Sequence, residues 1–206
     1  MTPAFIEELK KDIEGDVYDD PVVLGMYSTD ASVYQIMPVA VVCPKHEQDV
    51  VNTLRISRSY KIPILARGGG TSLAGQAVAE AIVLDFSKYM NSILLLQDKT
   101  IIVQPGVIRH QLNHFLKPKG LEFAPDPATS SRATIGGMIA NNSSGTKSII
   151  YGKTSDHVLE LKMLLANGDM IHTKALTAEE LQNKLQSQDP DREYYRQLMN
   201  ITLPLE

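Results

Sequence analysis

The sequence predicts a chain of mixed helices and strands, with a parallel strand pair near its start and hairpins further on. Three observations predict this. An apolar run rich in β-branched residues, 39–43, is followed by a helical pattern and then by a second apolar run, 62–66. Strands joined through a helix run parallel, and such crossovers are right-handed. Two further pairs of apolar runs flank Asp98-Lys99 and Asn167-Gly168, and Asn-Gly is a strong two-residue hairpin signal.

Taken in order, residues 3–14 form an amphipathic helix, because Phe5, Ile6, Leu9 and Ile13 fall at helical spacing. Residues 15–38 show no period and read as an irregular lead-in. After the first strand, Pro44 opens a helix whose acidic first turn, Glu47 and Asp49, suits the helix dipole. Val50, Val51, Leu54 and Ser57 form its inner stripe. The second strand ends at the glycine cluster Gly68-Gly69-Gly70. A third strand is predicted over 81–86, and a hairpin over 93–97 and 100–104. A helix over 107–117 is stopped by Pro118 and Gly120. Residues 123–132 are a loop rich in Pro, Ser and Thr, and 135–142 a short buried helix. Residues 158–166 and 170–173 pair as a second hairpin. Residues 176–186 and 190–201 read as surface helices. No internal repeat or low-complexity tract is present.

A chain of 206 residues suits one large domain or two small lobes and is long enough to bury a core. Its 43% hydrophobic and 21% charged content is that of an ordinary globular protein, which excludes global disorder. The net charge of −4, with no long basic run, argues against a nucleic-acid partner or an anionic membrane surface. A phosphate-bearing ligand would have to be held by backbone N–H groups and a few placed side chains. The single cysteine, Cys43, excludes an intrachain disulfide and an iron–sulfur site within the chain. It sits in an apolar run and reads as a small buried hydrophobe. The N-terminus lacks the basic-then-apolar pattern of a signal peptide, and no stretch is long enough to span a bilayer. A cytoplasmic location is expected, with membrane contact only through another region or a partner. Leu205 and Glu206 read as a cloning remnant.

Two segments carry candidate chemistry. The first is Pro63-Ile64-Leu65-Ala66-Arg67-Gly68-Gly69-Gly70-Thr71-Ser72-Leu73-Ala74-Gly75-Gln76. Three consecutive glycines remove every Cβ from a turn beyond a strand, so successive N–H groups are able to converge on an anion such as a pyrophosphate. Thr71 and Ser72 add hydroxyl donors, and Arg67 adds charge. A tight turn needing positive φ explains the glycines equally well, and glycine content alone leaves both readings standing. The spacing is not G-x-G-x-x-G, because position 73 is Leu. Gly145-Thr146-Lys147-Ser148 is no P-loop, because Lys does not directly follow the Gly. A dinucleotide site here belongs to a different fold. The second segment runs from Pro125 to Gly145. It joins a Pro-bearing loop, small hydroxyl residues and Gly136-Gly137 at a helix start, which lets backbone approach a flat ring and a phosphate. A capped helix with its loop is the alternative.

Together the segments are far more specific than either alone. The chain resembles the FAD-binding domain of the vanillyl-alcohol oxidase/p-cresol methylhydroxylase (PCMH-type) family, in particular its branch of glycolate oxidases and D-lactate dehydrogenases. The resemblance runs from about residue 31 to 173. It rests on Thr29-Asp30-Ala31-Ser32-Val33-Tyr34, on Arg67 to Gly75, on Gln104-Pro105-Gly106-Val107, on Thr134-Ile135-Gly136-Gly137, and on Asn141-Asn142-Ser143-Ser144-Gly145. Tyr151-Gly152 and Leu164-Leu165-Ala166-Asn167-Gly168-Asp169 follow in the expected places.

The resemblance implies an α+β fold of two lobes with FAD between them. The FAD-binding domain would occupy 37–175, with the lobe boundary near 90–105. An N-terminal helix and lead-in, 1–36, would precede it. A helical segment, 176–206, would lead toward a cap domain that this chain lacks. Gly68, Gly69, Gly70, Thr71 and Ser72 would wrap the pyrophosphate, with Arg67 and Gly75 flanking them. Pro127, Thr129, Ser131 and Thr134 would line the isoalloxazine. Gly136, Gly137, Asn141, Ser144 and Gly145 would hold the ribityl–phosphate side, and Val158 would offer backbone to the adenine. Some relatives carry a His in the glycine loop that bonds to the flavin; Thr71 stands at that position here, so non-covalent FAD is implied.

The same resemblance assigns the base and the carboxylate-binding Arg to segments beyond this chain. Removing hydride from a 2-hydroxy acid requires both a base for the hydroxyl proton and a cation for the carboxylate. No acid–base pair stands out within the 206 residues. His110 and His114 read as a helix face, not a metal pair, and no metal site is predicted. His157 reads as a capping or surface residue, Asp126 stands beside the presumed ring loop, and Arg132 faces either a phosphate or solvent. The leading reading is a part of an FAD-linked oxidoreductase acting on D-lactate, glycolate or a similar small 2-hydroxy acid, with an iron–sulfur electron-transfer module downstream. Two alternatives stay open. One is a stand-alone FAD or nucleotide module that needs a catalytic partner. The other is a reductase of the UDP-N-acetylenolpyruvoylglucosamine type.

Overall fold

A computed structural model of the protein describes residues 3–189 and 191–202. Residues up to His157 form one compact unit, and those from Val158 onward form a second.

The first unit opens with α1 (Ala4–Asp12), which buries Ile6 and Leu9, and β1 (Asp16–Tyr18). Helix α2 (Pro21–Tyr27) follows, with the Asp20 carboxylate accepting from the N–H groups of Val22 and Val23. Residues 15–38 thus hold a strand and a helix where the sequence pattern predicts an irregular lead-in. A strand of three residues is too short to show alternation. The signal for α2 is a capping residue ahead of a proline, not a hydrophobic period.

Strand β2 (Ala40–Cys43) leads to α3 (Glu47–Tyr60). The helix starts after His46, not at Pro44, because the Asp49 carboxylate gathers the N–H groups of Glu14, Gly15 and Lys45 at 2.9–3.0 Å and folds the preceding loop around itself. The inward face is accordingly Asp49, Thr53, Ile56 and Ser57, with Val50 at its edge. That is a rotation away from the predicted stripe of Val50, Val51, Leu54 and Ser57.

Strands β3 (Ile64–Arg67) and β4 (Ile82–Asp85) complete a sheet of order β1-β2-β4-β3. The strands joined through α3 are parallel in direction but are not neighbours, since β4 inserts between them. Their burial explains the order. All four residues of β4 are buried and need neighbours on both sides, whereas β3 is partly exposed and suits an edge. One sheet face sends Ala40, Val42, Ile82 and Leu84 against α1 and Ile56 of α3. The other sends Val41, Cys43 and Val83 toward Leu24 and Tyr27 of α2. Each fully buried Ile, Leu or Val contributes about 1.5–3 kcal/mol.

A second core lies further along the same unit. Strands β5 (Ile93–Gln97) and β6 (Thr100–Val103) form a hairpin whose turn holds Asp98 at φ 52°. Helix α4 (Arg109–Leu116) ends in a 3-10 turn, Lys117–Lys119, and Gly120 at φ 68°. Helices α5 (Ile135–Ala140) and α6 (Ser148–Tyr151) and a 3-10 turn, Thr154–His157, finish the unit. Val107, Leu112, Leu116, Ala133, Ile135 and Met138 make this core. Gly106, just before this core begins at Val107, donates its N–H to the Met90 carbonyl at 2.8 Å.

In the second unit, β7 (Glu160–Leu164) and β8 (Met170–Lys174) pair antiparallel about the predicted Asn167-Gly168 turn, with Gly168 at φ 92°. Helix α7 (Ala178–Gln186) starts with a capping box from Thr177 and Glu180, and α8 (Arg192–Thr202) follows. Pro190, Leu205 and Glu206 lie outside the described residues.

Candidate functional site

Beyond Arg67 the chain turns through the three glycines. The N–H groups of Gly68, Gly69, Gly70, Thr71, Ser72 and Leu73 meet no protein acceptor among the described residues. A run of consecutive free donors on a tight turn is an anion-binding surface. The glycines themselves answer to protein neighbours. A Cβ on Gly68 would overlap the Thr134 side chain, and one on Gly69 would overlap the Arg132 carbonyl. Gly70 has φ 61°, and its Cβ would stand 2.7 Å from Arg67 Nη2. The tight-turn reading and the anion reading therefore coexist. Missing side chains let the turn reach residues 132–134, and the N–H groups stay free. The Ser72 hydroxyl bonds to the Gln76 side chain.

Residues between α2 and β2 hold this turn in place. Ala31 donates its N–H to the Gly70 carbonyl at 3.1 Å. Asp30 accepts from the Ser32 and Ala77 N–H groups at 2.8 and 3.2 Å. Burial raises the Asp30 carboxyl, but bonds from the Ser32 hydroxyl and N–H and from Ala77, with the charge of Arg67, outweigh it and hold it below the usual carboxylate range. Gly75, at φ 73°, gives room to the Tyr34 ring. Arg67, the one charged side chain expected here, donates to the carbonyls of Tyr27, Ala77 and Thr29 at 3.2, 2.6 and 2.8 Å. Sequence reasoning assigns no role to Tyr27, Asp30 or Asp85. The Asp30-x-Ser32 turn is the one local signal. Behind Arg67, burial raises the Tyr27 phenol, reinforced by its bond to Asp85 at 2.6 Å. Burial likewise lifts the Cys43 thiol to about 11, so it stays neutral and unreactive.

The second segment meets the first at three places, one of them the Arg132 carbonyl against Gly69. Thr134 caps α5, its hydroxyl accepting the Gly137 N–H at 3.3 Å, and lies against Gly68. Asn141 Oδ1 accepts from Gln76 Nε2 at 3.3 Å. The first N–H groups of α5 are taken by protein: Ile135 donates to Val107 and Gly136 to Pro105, at 2.8 and 2.9 Å. A Cβ on Gly136 would lie 2.7 Å from that of Pro105. Pro127, Thr129 and Ser131 belong to a turn closed by bonds from Ser130 to the Pro127 carbonyl and from Arg132 and Ala133 to that of Thr129. Ser144 is exposed, with an N–H that meets no protein acceptor among the described residues. Gly145 covers Asp126 too closely for any side chain. Asp126 accepts from the Lys147 N–H at 2.9 Å and the Thr146 hydroxyl at 3.0 Å, and these bonds lower its pKa. It is a fastener of the 145–147 turn. Val158 belongs to the second unit.

Among the described residues no cluster of His, Cys, Asp or Glu is arranged to hold a metal. His157 bonds to the Tyr151 carbonyl at 2.8 Å and meets the Phe123 ring edge-on.

The model of the family described as FAD binding domain matches residues 38–174, more than half of the chain. The chain belongs to this family. This FAD-binding domain is 39% identical over 205 residues to the D-2-hydroxyglutarate dehydrogenase of Pantoea ananatis, a match covering 95% of the chain and 20% of the relative. It is 40% identical over 161 residues to the glycolate oxidase subunit GlcD of Bacillus subtilis, covering 76% of the chain and 34% of that protein. The domain thus spans a fifth to a third of the length of these relatives. Among solved structures, an alkyldihydroxyacetonephosphate synthase shares its fold, with a TM-score of 0.75 at 22% identity over 87% of this chain and 36% of that one. The α+β fold expected from the sequence is the fold of this FAD-binding domain. Its donor set suits the family's cofactor: six free N–H groups on one turn complement a diphosphate without any field of basic residues. No helix among the described residues is long and apolar enough to cross a membrane.

Proposed function

We propose that this chain is the cofactor-holding part of an FAD-linked oxidoreductase that oxidises a small 2-hydroxy acid. The observation that carries the reading is the run of acceptor-free N–H groups from Gly68 to Leu73, set against Arg132 and Thr134. Bound FAD supplies the two-electron acceptor for the hydroxylated carbon. The chain's own residues bind and orient it. Gly68 through Ser72 donate N–H groups to the diphosphate, and the Thr71 hydroxyl adds a donor. Ser144 offers a further free N–H, with Asn141 and Gly145 beside it. Gly136 and Gly137, whose N–H groups are taken within the protein and whose missing side chains make room for Pro105 and Thr134, line the ribityl–phosphate side by letting the start of α5 pack closely. Pro127, Thr129, Ser131 and Thr134 form the wall for the flavin ring. With Thr71 in the turn and no His or Cys there, the flavin is held without a covalent bond.

The substrate class rests on the relatives, named for D-2-hydroxyglutarate and glycolate. Candidate substrates are D-2-hydroxyglutarate, D-lactate and glycolate. The base and the carboxylate clamp fall to no residue of this chain. The long relative leaves most of its length outside the match. That is room for a substrate-binding cap and for an iron–sulfur module carrying electrons onward.

The test is spectroscopic. The purified chain is incubated with FAD, washed, and scanned for flavin absorbance. D-2-hydroxyglutarate, D-lactate or glycolate is then added without oxygen. A yellow protein that no acid bleaches, and that releases all its flavin on denaturation, is the expected result. Failure to take up FAD overturns the reading. Bleaching overturns the placement of the base outside the chain, and flavin left on the denatured protein overturns non-covalent binding.

A further inference from the structure

We propose that Arg67 is not a phosphate ligand but a positioning residue, seated on Tyr27 and Asp85, that sets the shape of the glycine turn. This rests on the reading of that turn as the diphosphate cradle. Arg67 and Asp85 are register partners at the ends of β3 and β4. The Tyr27 hydroxyl donates to Asp85 at 2.6 Å, and the Tyr27 ring lies under the Arg67 guanidinium, 5.3 Å from its centroid. Asp85 is 6% exposed and also accepts the Ser87 N–H at 2.7 Å, so it is fixed from both sides. The stack is therefore rooted in the sheet.

From that root the guanidinium reaches three carbonyls. Those of Tyr27 and Thr29 belong to the end of α2 and the residues just after it, and that of Ala77 to the far end of the glycine loop. Three of its five N–H groups are thereby engaged with neutral acceptors. The same group stands where a Gly70 side chain would be, under the residue whose φ is 61°. One planar fork so joins both ends of the loop and supports its left-handed residue. A lysine ammonium has the charge but not the flat, forked shape to bridge these carbonyls. Holding the acceptor-free N–H groups in one arrangement before the ligand arrives lowers the ordering cost of binding.

The two roles respond differently to salt and to Lys. A phosphate ligand acts through charge, so Arg67→Lys would keep most of the affinity, and Arg67→Met would flatten the dependence of Kd on ionic strength. A positioning residue predicts the reverse. Arg67→Lys and Arg67→Met should both weaken FAD by roughly tenfold or more, with the salt dependence of the wild type unchanged. Tyr27→Phe leaves the charge in place but cuts the bond to Asp85, and should weaken FAD in the same sense. Kd is read by flavin fluorescence quenching on the full chain at several salt concentrations, after circular dichroism has established folding. If Arg67→Met does not fold, Arg67→Lys and Tyr27→Phe carry the test. Retained affinity in Arg67→Lys, a flattened salt dependence in Arg67→Met, or wild-type binding in Tyr27→Phe overturns the proposal. A wild-type chain that takes up no FAD overturns the cradle reading itself, which is a separate outcome.

Discussion

A methyl group on Gly69 has nowhere to go. It would overlap the Arg132 carbonyl, which is backbone and cannot swing aside. Gly69→Ala should therefore part the two segments, lowering stability by about 1–3 kcal/mol in a urea titration and abolishing FAD uptake. Gly25 is the control: it lies inside α2, nothing stands within 4 Å of its Cβ position, and its φ is ordinary. Gly25→Ala should raise stability by about 0.5–1 kcal/mol. The contrast marks what is legible in the residues. Three adjacent glycines after a strand announce a turn built from backbone. That two of them serve contacts with residues more than sixty positions away leaves no local trace. The Arg beside them advertises charge, whereas its carbonyl partners belong to other parts of the chain and carry no sequence signal at all.

At the scale of elements, period and turn chemistry suffice for α1, the two hairpins and α4. Pairing is different. Strand order depends on which runs are buried on both sides, and the apolar runs at β2, β3 and β4 look alike in a list of residues. The inward face of α3 is hidden for a related reason. A carboxylate on a helix reads as an outward residue, yet Asp49 is 1% exposed and binds three N–H groups from two other segments. Asp49→Asn keeps the shape but sets an NH2 group against at least one of those donors. It should lower the urea midpoint by an amount equivalent to about 1–3 kcal/mol, a loss that Asn52→Ser on the same helix should not match.

At the scale of the molecule, acid should be the weak side. Hydrogen bonds and cations hold Asp16, Asp30 and Asp126 below the ordinary carboxylate range, Lys88 being the leading cause for Asp16. A carboxyl whose folded pKa is depressed stabilises the fold above its unfolded value, about 3.9, and loses that contribution as pH falls through the folded value. Stability should hold level from about pH 7 to 5 and decline below about 4. In Asp30→Asn the decline between about pH 4 and 2 should be shallower; an unchanged slope in acid titrations would remove Asp30 from this account. One more consequence concerns birth, not equilibrium. The ribosome releases β2 and β3 before β4, yet β4 is the strand that lies between them. Until residue 85 has cleared the exit tunnel, β2 has only β1 beside it and β3 has no neighbour in this sheet. The segment carrying the glycines is the one that swings across to close the gap. The completed sheet and the two fixed ends of the glycine turn, Arg67 and Ala77, therefore come into being together, ahead of the residues 132–134 against which the turn finally packs.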